Sequence, residues 1–195
     1  MNTTTIYECL SLFEDFLTDK VDNDLKEYFR DELKALKPVQ KISMNDTQLK
    51  EKVIPDIVKN YVSNLDMAVS GLTELDTALL DVVPFLEWYR IFDSEEIHPS
   101  LSKGLLAGQI VGKKGLIKSD EFYMGLFFLS PDIHYPLHQH NPLEIYYVFS
   151  GALQLQHGRQ KLPFSVEAGD YSITPCNQVH SLTTSAEPCL ICYMW

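Results

Sequence analysis

Glycine divides the second half of the chain into short apolar segments, and this pattern limits the folds that the chain can adopt. From about Ser102 onward, glycines recur between runs that are rich in Val, Ile, Leu, Phe and Tyr. Such runs predict short β-strands joined by turns. We expect strands or strand pairs in LLAGQIVG, FYMGLFFLSP, EIYYVFSGALQLQHG, KLPFSVEAGDYSITP, VHSLTTSA and CLICYMW. This number of short strands would leave long edges in an open sheet, and it therefore predicts a barrel or a sandwich.

The first ninety residues follow a helical rhythm instead, with apolar residues at helical spacing in four segments. The second predicted helix stops before Pro38, the third begins near Asn45–Asp46, and the fourth stops or bends at Pro84. Together the two rhythms predict an α+β fold, with a helical layer over residues 1–100 packed on a small antiparallel β-barrel over residues 101–195. The clearest apolar stripe belongs to the first helix and consists of Ile6, Leu10, Phe13 and Leu17.

Charge and composition exclude several classes of partner. The formal net charge is −11 at pH 7, whereas nucleic-acid phosphates are held by clusters of Lys and Arg, so a nucleic-acid partner is not expected. Acidic residues interrupt the N-terminal segment, which is predicted not to be a signal peptide, and no apolar stretch approaches the roughly 18 residues that cross a membrane.

The four cysteines follow no disulfide or zinc pattern and are expected to be reduced thiols of a cytoplasmic protein. A homodimer is compatible with the sequence, and the oligomeric state is left open.

Coordinating side chains concentrate in one segment, HYPLHQHNPLEIYYVFSG. Residues two apart on a strand point to the same face, so His138 and His140 share one direction and Glu144 and Tyr146 share another. If the Asn-Pro turn joins two neighbouring strands, these four side chains converge inside a barrel. Two imidazoles and a carboxylate form a ligand set suited to Zn, Fe(II), Mn or Ni. Burying them together without an ion would be costly, and the segment therefore predicts a metal site.

The same segment resembles the first cupin motif, H-x-H-x3-E-x6-G, which ends here at Gly151. The later stretch GDYSITPCNQVHSLTT resembles the second cupin motif, G-x5-P-x-G-x2-H-x3-N, through Gly169, the proline of ITP and His180. Two positions depart from the second motif, because Asn177 replaces the usual glycine and Thr184 replaces the usual asparagine. The resemblance implies a cupin barrel in which His180 completes a quartet of metal ligands.

A longer pattern, Y-P-x-H-x-H-x3-E-x-Y, is similar to that of the DddQ-like dimethylsulfoniopropionate lyases and runs here from Tyr135 to Tyr146. In architecture the similarity covers most of the chain, because these lyases also carry helices packed on a cupin barrel. The specific motifs cover only residues 125–195. The resemblance implies one divalent metal ion (Zn, Fe(II), Mn, Co or Ni), with the ligands His138, His140, Glu144 and His180.

Tyrosines and a tryptophan are the other candidate site residues. Tyr146 follows Glu144 by two residues, so its hydroxyl can reach the metal, serve as a ligand without substrate, and act as the general base once substrate displaces it. Tyr135 is the alternative base, or a donor to a substrate carboxylate. His138 is either a direct ligand or a residue that orients the substrate. Trp195 and Tyr193 share a strand face and could form an aromatic wall.

These roles predict a metal-dependent carbon–sulfur lyase that acts on a small zwitterionic carboxylate. It would cleave dimethylsulfoniopropionate (DMSP) to dimethyl sulfide and acrylate by β-elimination, and aromatic faces would attract the sulfonium group. Two alternatives stay open. A cupin dioxygenase using Fe(II), or a sugar or keto-acid isomerase, would keep the metal ligands but has no requirement for both tyrosines. A non-catalytic cupin that binds a small molecule would tolerate loss of the ligands.

Overall fold

The fold is described from a computed structural model that covers residues 4–43, 49–68, 72–92, 94 and 98–195. Clustering of contacts divides the chain into two compact units, each discontinuous in sequence. The first unit comprises Met1–Glu87 and Ile110–Phe122, and the second comprises Trp88–Gln109 and Tyr123–Trp195. Five α-helices, one 3-10 turn and ten strands are present in the described residues.

Four helices form most of the first unit, and α1 packs against α2 and α4. The four predicted stripe residues of α1 are fully buried, which confirms the helical periodicity of this segment. Thr73 caps α4 by accepting from the Asp76 backbone N–H, while the Asp76 carboxylate accepts from the backbone N–H of Thr73. The bounds are Thr4–Asp19 for α1, Lys26–Ser43 for α2, Asp56–Ala68 for α3 and Glu74–Val82 for α4, followed by the 3-10 turn Val83–Phe85.

Proline positions account for most differences between the predicted and observed helices. The prediction that the second helix stops before Pro38 is wrong, because α2 continues to Ser43. Proline removes only its own N–H from the helical ladder, so the residues after it remain able to form helix. Pro84 does end α4, since the chain tightens there into the 3-10 turn. Residues Asn45 and Asp46, where the third helix was predicted to begin, lie outside the described residues.

Two sheets form the second unit, and every strand pair with a described register is antiparallel. The six-stranded sheet has the order β1-β2-β3-β10-β5-β8, and the four-stranded sheet has the order β4-β9-β6-β7. The bounds are Trp88–Arg90 for β1, Leu105–Val111 for β2, Met124–Leu129 for β3, His134–His138 for β4, Glu144–Ser150 for β5, Ala152–His157 for β6, Phe164–Glu167 for β7, Tyr171–Thr174 for β8, His180–Thr183 for β9 and Cys189–Met194 for β10. A short helix, α5, spans Pro99–Gly104.

One apolar core lies between the two sheets of this unit. It combines Val148 and Ile191 from the six-stranded sheet with Leu153, Leu155 and Leu182 from the four-stranded sheet. The chain therefore has the α+β fold with an antiparallel barrel that its glycine pattern predicted. The strand Trp88–Arg90 was not predicted; it pairs with β2, so the sheet begins before residue 100. Among the described residues, no helix is both long enough and apolar enough to cross a membrane.

Gly151, which closes the first cupin motif, connects β5 to β6 with a φ of +79°. A Cβ atom at this position would lie 2.3 Å from the carbonyl oxygen of Pro188. Both the left-handed backbone and the clash penalise a side chain, so we expect Gly151→Ala to lower the free energy of unfolding by about 2–4 kcal/mol. Gly169→Ala is the matched control, because Gly169 also has a positive φ of +93° but a Cβ atom there would meet no neighbour within 4 Å. Equal destabilisation of the two variants in urea unfolding would contradict the role of the Pro188 contact.

Candidate metal centre and cavity

Three histidines converge within the barrel unit. His138 ends β4, His180 begins β9, and the two residues are directly paired in the antiparallel register. His140 lies in the turn that leads to β5. Each ring offers one nitrogen to a group in which these atoms lie within 4.8 Å of one another. The pairing of β4 with β9 brings His180 beside His138, although the two histidines are 42 positions apart in the sequence.

Backbone carbonyls orient all three rings. The Nδ1 atoms of His138, His140 and His180 lie 2.8, 3.1 and 2.9 Å from the carbonyl oxygens of residues 136, 142 and 178 respectively. A carbonyl oxygen only accepts hydrogen bonds, so each Nδ1 carries the proton. In the neutral ring, the Nε2 atom then keeps its lone pair. The three rings are therefore fixed in the tautomer that binds a metal ion through Nε2.

Glu144 adds a buried carboxylate to the histidine group. Its Oε2 lies 3.2 Å from Nε2 of His140 and 3.6 Å from Nε2 of His180, and the residue is only 2% exposed. The Glu144 carboxylate accepts a hydrogen bond from Nε2 of the protonated His140 ring, and this bond raises the pKa of His140 above its ordinary value. Burial lowers the pKa values of His138 and His180, which favours their neutral form.

A divalent cation fits this donor set. Within the described residues, Nε2 of His180 is buried and has no hydrogen-bond partner, although a buried polar atom normally has one. An ion placed among the three nitrogens and the carboxylate would satisfy that atom and balance the buried negative charge of Glu144. Histidine and carboxylate ligands suit Zn, Fe(II), Mn, Co and Ni alike, so the geometry does not select among them.

A β-bulge brings Tyr135 to the same side of β4 as His138. Tyr135 and His138 are three positions apart, but their partners on β9, Leu182 and His180, are only two apart. One extra residue is therefore accommodated at positions 136–137, where Pro136 has no N–H to contribute to the ladder. The rings of Tyr135 and His138 consequently stack, with centroids 4.0 Å apart and planes inclined by 12°. Burial, with a smaller contribution from the charge of Glu144, raises the pKa of Tyr135 to about 12.

Tyr146 lies deepest among the candidate tyrosines that face the metal ligands, at 2% exposure on β5. Its hydroxyl forms a hydrogen bond with the Glu144 carboxylate. Burial, and next the negative charge of Glu144, raise the pKa of Tyr146 well above its ordinary value of 10.0. The side chain is therefore a phenol at neutral pH unless a positive charge lies close to its oxygen.

The two departures from the second cupin motif have visible structural roles. Asn177 adopts a left-handed φ of +58°, the conformation that the usual glycine would provide. Its backbone N–H donates to the carbonyl oxygen of His140 at 2.9 Å, and its side-chain amide donates to Asn141 at 3.2 Å. Thr184 accepts from the Ile133 backbone N–H and donates to the Ser130 carbonyl. Both residues therefore tie the second motif to the segments that precede and follow β4.

His138, His140 and Glu144 line a cavity of about 320 Å³, the lower end of the range for small-molecule sites. Trp195, Tyr193 and Phe127 also line it, and each belongs to a stacked ring pair. Trp195 stacks on Tyr123 with centroids 4.4 Å apart, and Tyr193 stacks on Phe127 with centroids 4.0 Å apart. All the lining residues belong to the second unit.

Comparison with known proteins identifies the family. The sequence model of the dimethylsulfoniopropionate lyases matches residues 19–191 of the 195. The chain belongs to the DMSP lyase family. It is 20% identical over 134 residues to dimethylsulfoniopropionate lyase DddQ of Ruegeria pomeroyi DSS-3, an alignment that covers 68% of this chain and 66% of that relative.

Solved structures of DMSP lyases share the fold of the whole chain. The crystal structure of DddQ from Ruegeria pomeroyi has a TM-score of 0.65 at 16% identity and matches 100% of this chain and 92% of that one. A structure from work on the DMSP lyases RdDddP and RnDddQII has a TM-score of 0.62 at 18% identity, covering 98% and 92% of the two chains. At these identities the likeness shows a common cupin-type fold.

The cavity brings together seven of the eight site residues predicted from the sequence of this DMSP lyase family member: Tyr135, His138, His140, Glu144, Tyr146, Tyr193 and Trp195. The eighth, His180, is fully buried within the histidine group beside it. Sequence reasoning missed Gln109, Phe127, Ile91 and Pro142. Gln109 gave one usable signal, because it is the single polar side chain in the apolar strand LLAGQIV.

Proposed function

We propose that this protein is a metal-dependent carbon–sulfur lyase that cleaves DMSP to dimethyl sulfide and acrylate. The observation that carries the proposal is the Tyr146 phenol, which is hydrogen-bonded to a carboxylate of a three-histidine donor set. This arrangement lies in a small cavity of a chain from the DMSP lyase family. A general base next to a cation site is what proton abstraction beside a carboxylate requires.

The metal ligands that we propose are His138, His140, Glu144 and His180, with Tyr146 as a further ligand when no substrate is bound. A divalent cation held there would withdraw electron density from a substrate carboxylate and stabilise the negative charge that develops at the α-carbon. His138 lines the cavity and stacks on Tyr135, which also suits it to orienting the substrate.

Tyr146 is the base that we favour for removing the α-proton. The pKa of Tyr146 would be lowered by a cation held beside its oxygen, so that its phenolic proton is lost to solvent. The phenolate would then take the α-proton, with the C–H bond breaking as the tyrosine O–H bond forms. The electron pair of the C–H bond forms the carbon–carbon double bond as the C–S bond to the β-carbon breaks. The C–S electron pair leaves with sulfur, so the sulfonium departs as neutral dimethyl sulfide. Proton, carbon and sulfur are thereby accounted for without an oxidant or a second substrate.

Tyr135 is the second candidate base, or a hydrogen-bond donor to the carboxylate. Its stacked position on His138 places it at the same donor set, and the charge of Glu144 contributes to its raised pKa. The pKa of Tyr146 is raised as well, so the two tyrosines are distinguished by position: Tyr146 is hydrogen-bonded to the Glu144 carboxylate, whereas Tyr135 stacks on the cavity-lining ring of His138. We therefore assign Tyr135 to substrate positioning, together with the aromatic walls formed by Tyr193 and Trp195.

A headspace assay tests the proposed function. Protein freed of metal and reloaded with Zn, Fe(II), Mn, Co or Ni is expected to release dimethyl sulfide from DMSP, measured by gas chromatography, with acrylate formed in equal amount. The same assay under nitrogen should give the same yield, because elimination consumes no oxygen, whereas an Fe(II) dioxygenase would stop. Absence of dimethyl sulfide with all five metals would rule the lyase out.

A further inference from the structure

Gln109 introduces a polar group into a strand that is otherwise apolar. It lies on β2, is 8% exposed, and lines the cavity together with Tyr89 from β1 and Tyr193 from β10. The three side chains hydrogen-bond to one another. They form a connected set, which we call the Gln109 group.

A missing side chain on β3 allows this group to form. Strand β3 lies between β2 and β10, and its residue opposite Tyr193 is Gly125. A Cβ atom on Gly125 would lie 2.9 Å from the Tyr193 hydroxyl and 3.0 Å from Cα of Gln109. The bare glycine therefore lets the phenol of Tyr193 reach across β3 to the side chains of β2 and β1.

The Gln109 group and the metal ligands give the cavity two ends of different chemistry. Glu144 and the histidines lie on β4, β5, β9 and the turn after β4. Gln109 and Tyr89 lie on β2 and β1, at the opposite side of the six-stranded sheet from β5, and Tyr193 on β10 lies between the two ends, paired with Tyr146. Among the residues that line the cavity in the described part of the chain, none is Lys or Arg. At the Gln109 end, the polar atoms are phenol and amide groups, and the stacked ring of Tyr193 on Phe127 completes the wall.

We infer that the Gln109 group is the subsite for the onium end of the substrate and selects a positively charged head over a neutral one of the same shape. This inference rests on the proposed function for the orientation of the carboxylate toward the metal ligands. The charge of a sulfonium spreads onto its methyl groups, which make favourable contacts with phenol and amide oxygens and with aromatic rings. Without a Lys or Arg, the same end offers a carboxylate no counter-charge.

A matched pair of non-reactive ligands tests the selection directly. 3-(Trimethylammonio)propanoate and 4,4-dimethylpentanoate share a carboxylate and a branched head of equal shape, but only the first carries a positive charge. Calorimetric titration of the metal-loaded protein is expected to show at least about tenfold tighter binding of the charged ligand, a preference that comes from the onium contacts.

Substitutions at Gln109 should move this preference in opposite directions. Gln109→Glu adds a negative charge with the same shape, so it should strengthen binding of the charged ligand. The ratio of the Kd of the neutral ligand to the Kd of the charged ligand should therefore rise about tenfold. Gln109→Met and Tyr193→Phe remove oxygen atoms and should lower the ratio. Gln154→Glu is the control, because Gln154 is exposed on β6 and carries the same charge change outside the cavity; it should leave the ratio unchanged.

Two results would overturn the inference. Equal weakening of both ligands by Gln109→Glu would mean that the carboxylate end occupies this subsite. An unchanged ratio in Gln109→Met and Tyr193→Phe, with the fold intact by circular dichroism, would mean that the group has no part in selection. Ligand binding is measured without turnover, so the two proposals fail separately. Absence of dimethyl sulfide release would contradict the proposed function alone. An unchanged ratio in an active lyase would contradict this inference alone.

Discussion

Replacing Tyr146 with phenylalanine is expected to lower kcat for DMSP cleavage by a factor of about 10³, within the range for loss of a general base. The substitution deletes only a hydroxyl, and that hydroxyl is hydrogen-bonded to Glu144 at the donor set. The ring itself is retained in the core, where Tyr146 contacts Phe127 with centroids 6.3 Å apart. We expect the melting temperature and the bound metal to change little. Initial rates of dimethyl sulfide release, together with elemental analysis of the same sample, check both expectations.

Tyr135→Phe is the matched control for this experiment, because it removes a second phenol of raised pKa from the same donor set. A positioning role predicts a rise in KM with a loss in kcat of about tenfold or less. If Tyr146→Phe kept its turnover and Tyr135→Phe lost it, the base would be Tyr135. Loss of metal from Tyr146→Phe would instead assign the tyrosine a structural role in the metal site.

Replacing His180 with alanine is expected to lower metal affinity by more than about 100-fold, since loss of residues that merely support a metal ligand already costs 10–100-fold. His180 is fully buried, and its Nε2 has no other hydrogen-bond partner among the described residues. The variant should contain little metal by elemental analysis. It should also lose the rise in melting temperature that metal gives the original protein, because a ligand stabilises the fold only when it binds.

His134→Ala is the control for His180→Ala. His134 lies on β4 near the site, but it is exposed and its Nδ1 contacts Thr183 Oγ1 at 3.1 Å. We expect this variant to keep its metal and its melting temperature shift. A full complement of metal in His180→Ala would show that the donor set lies elsewhere.

Local periodicity explains why much of the fold could be predicted from sequence. The spacing of apolar residues placed the stripe of α1 correctly, and glycines marked the strands of the barrel. The errors occurred where local rules compete. Pro38 favours a helix end but does not enforce one, so α2 continues past it. The strand Trp88–Arg90 has only three residues, and its pairing with β2 depends on tertiary contacts that no local pattern specifies.

The candidate site was predictable where its residues are close in sequence. Period-two reasoning related Glu144 to Tyr146, which share β5. It does not apply to His138 and His140, because β4 ends at His138, and the prediction that the Asn-Pro turn joins two neighbouring strands is wrong, because β4 and β5 belong to different sheets. The same reasoning separates Tyr135 from His138, which are three residues apart, and only the bulge in β4 places their rings together. Gln109 could not be assigned from its own strand, because its partners Tyr89 and Tyr193 come from distant segments.

The imidazoles of His138, His140 and His180 take their orientation from main-chain oxygens at positions 136, 142 and 178. Every amino acid carries such an oxygen, so the identity of the side chain at these positions is not what aims the rings. The coordinating geometry is therefore encoded by the path of the backbone. A different side chain at position 178, for example, would leave in place the carbonyl oxygen that orients the His180 ring.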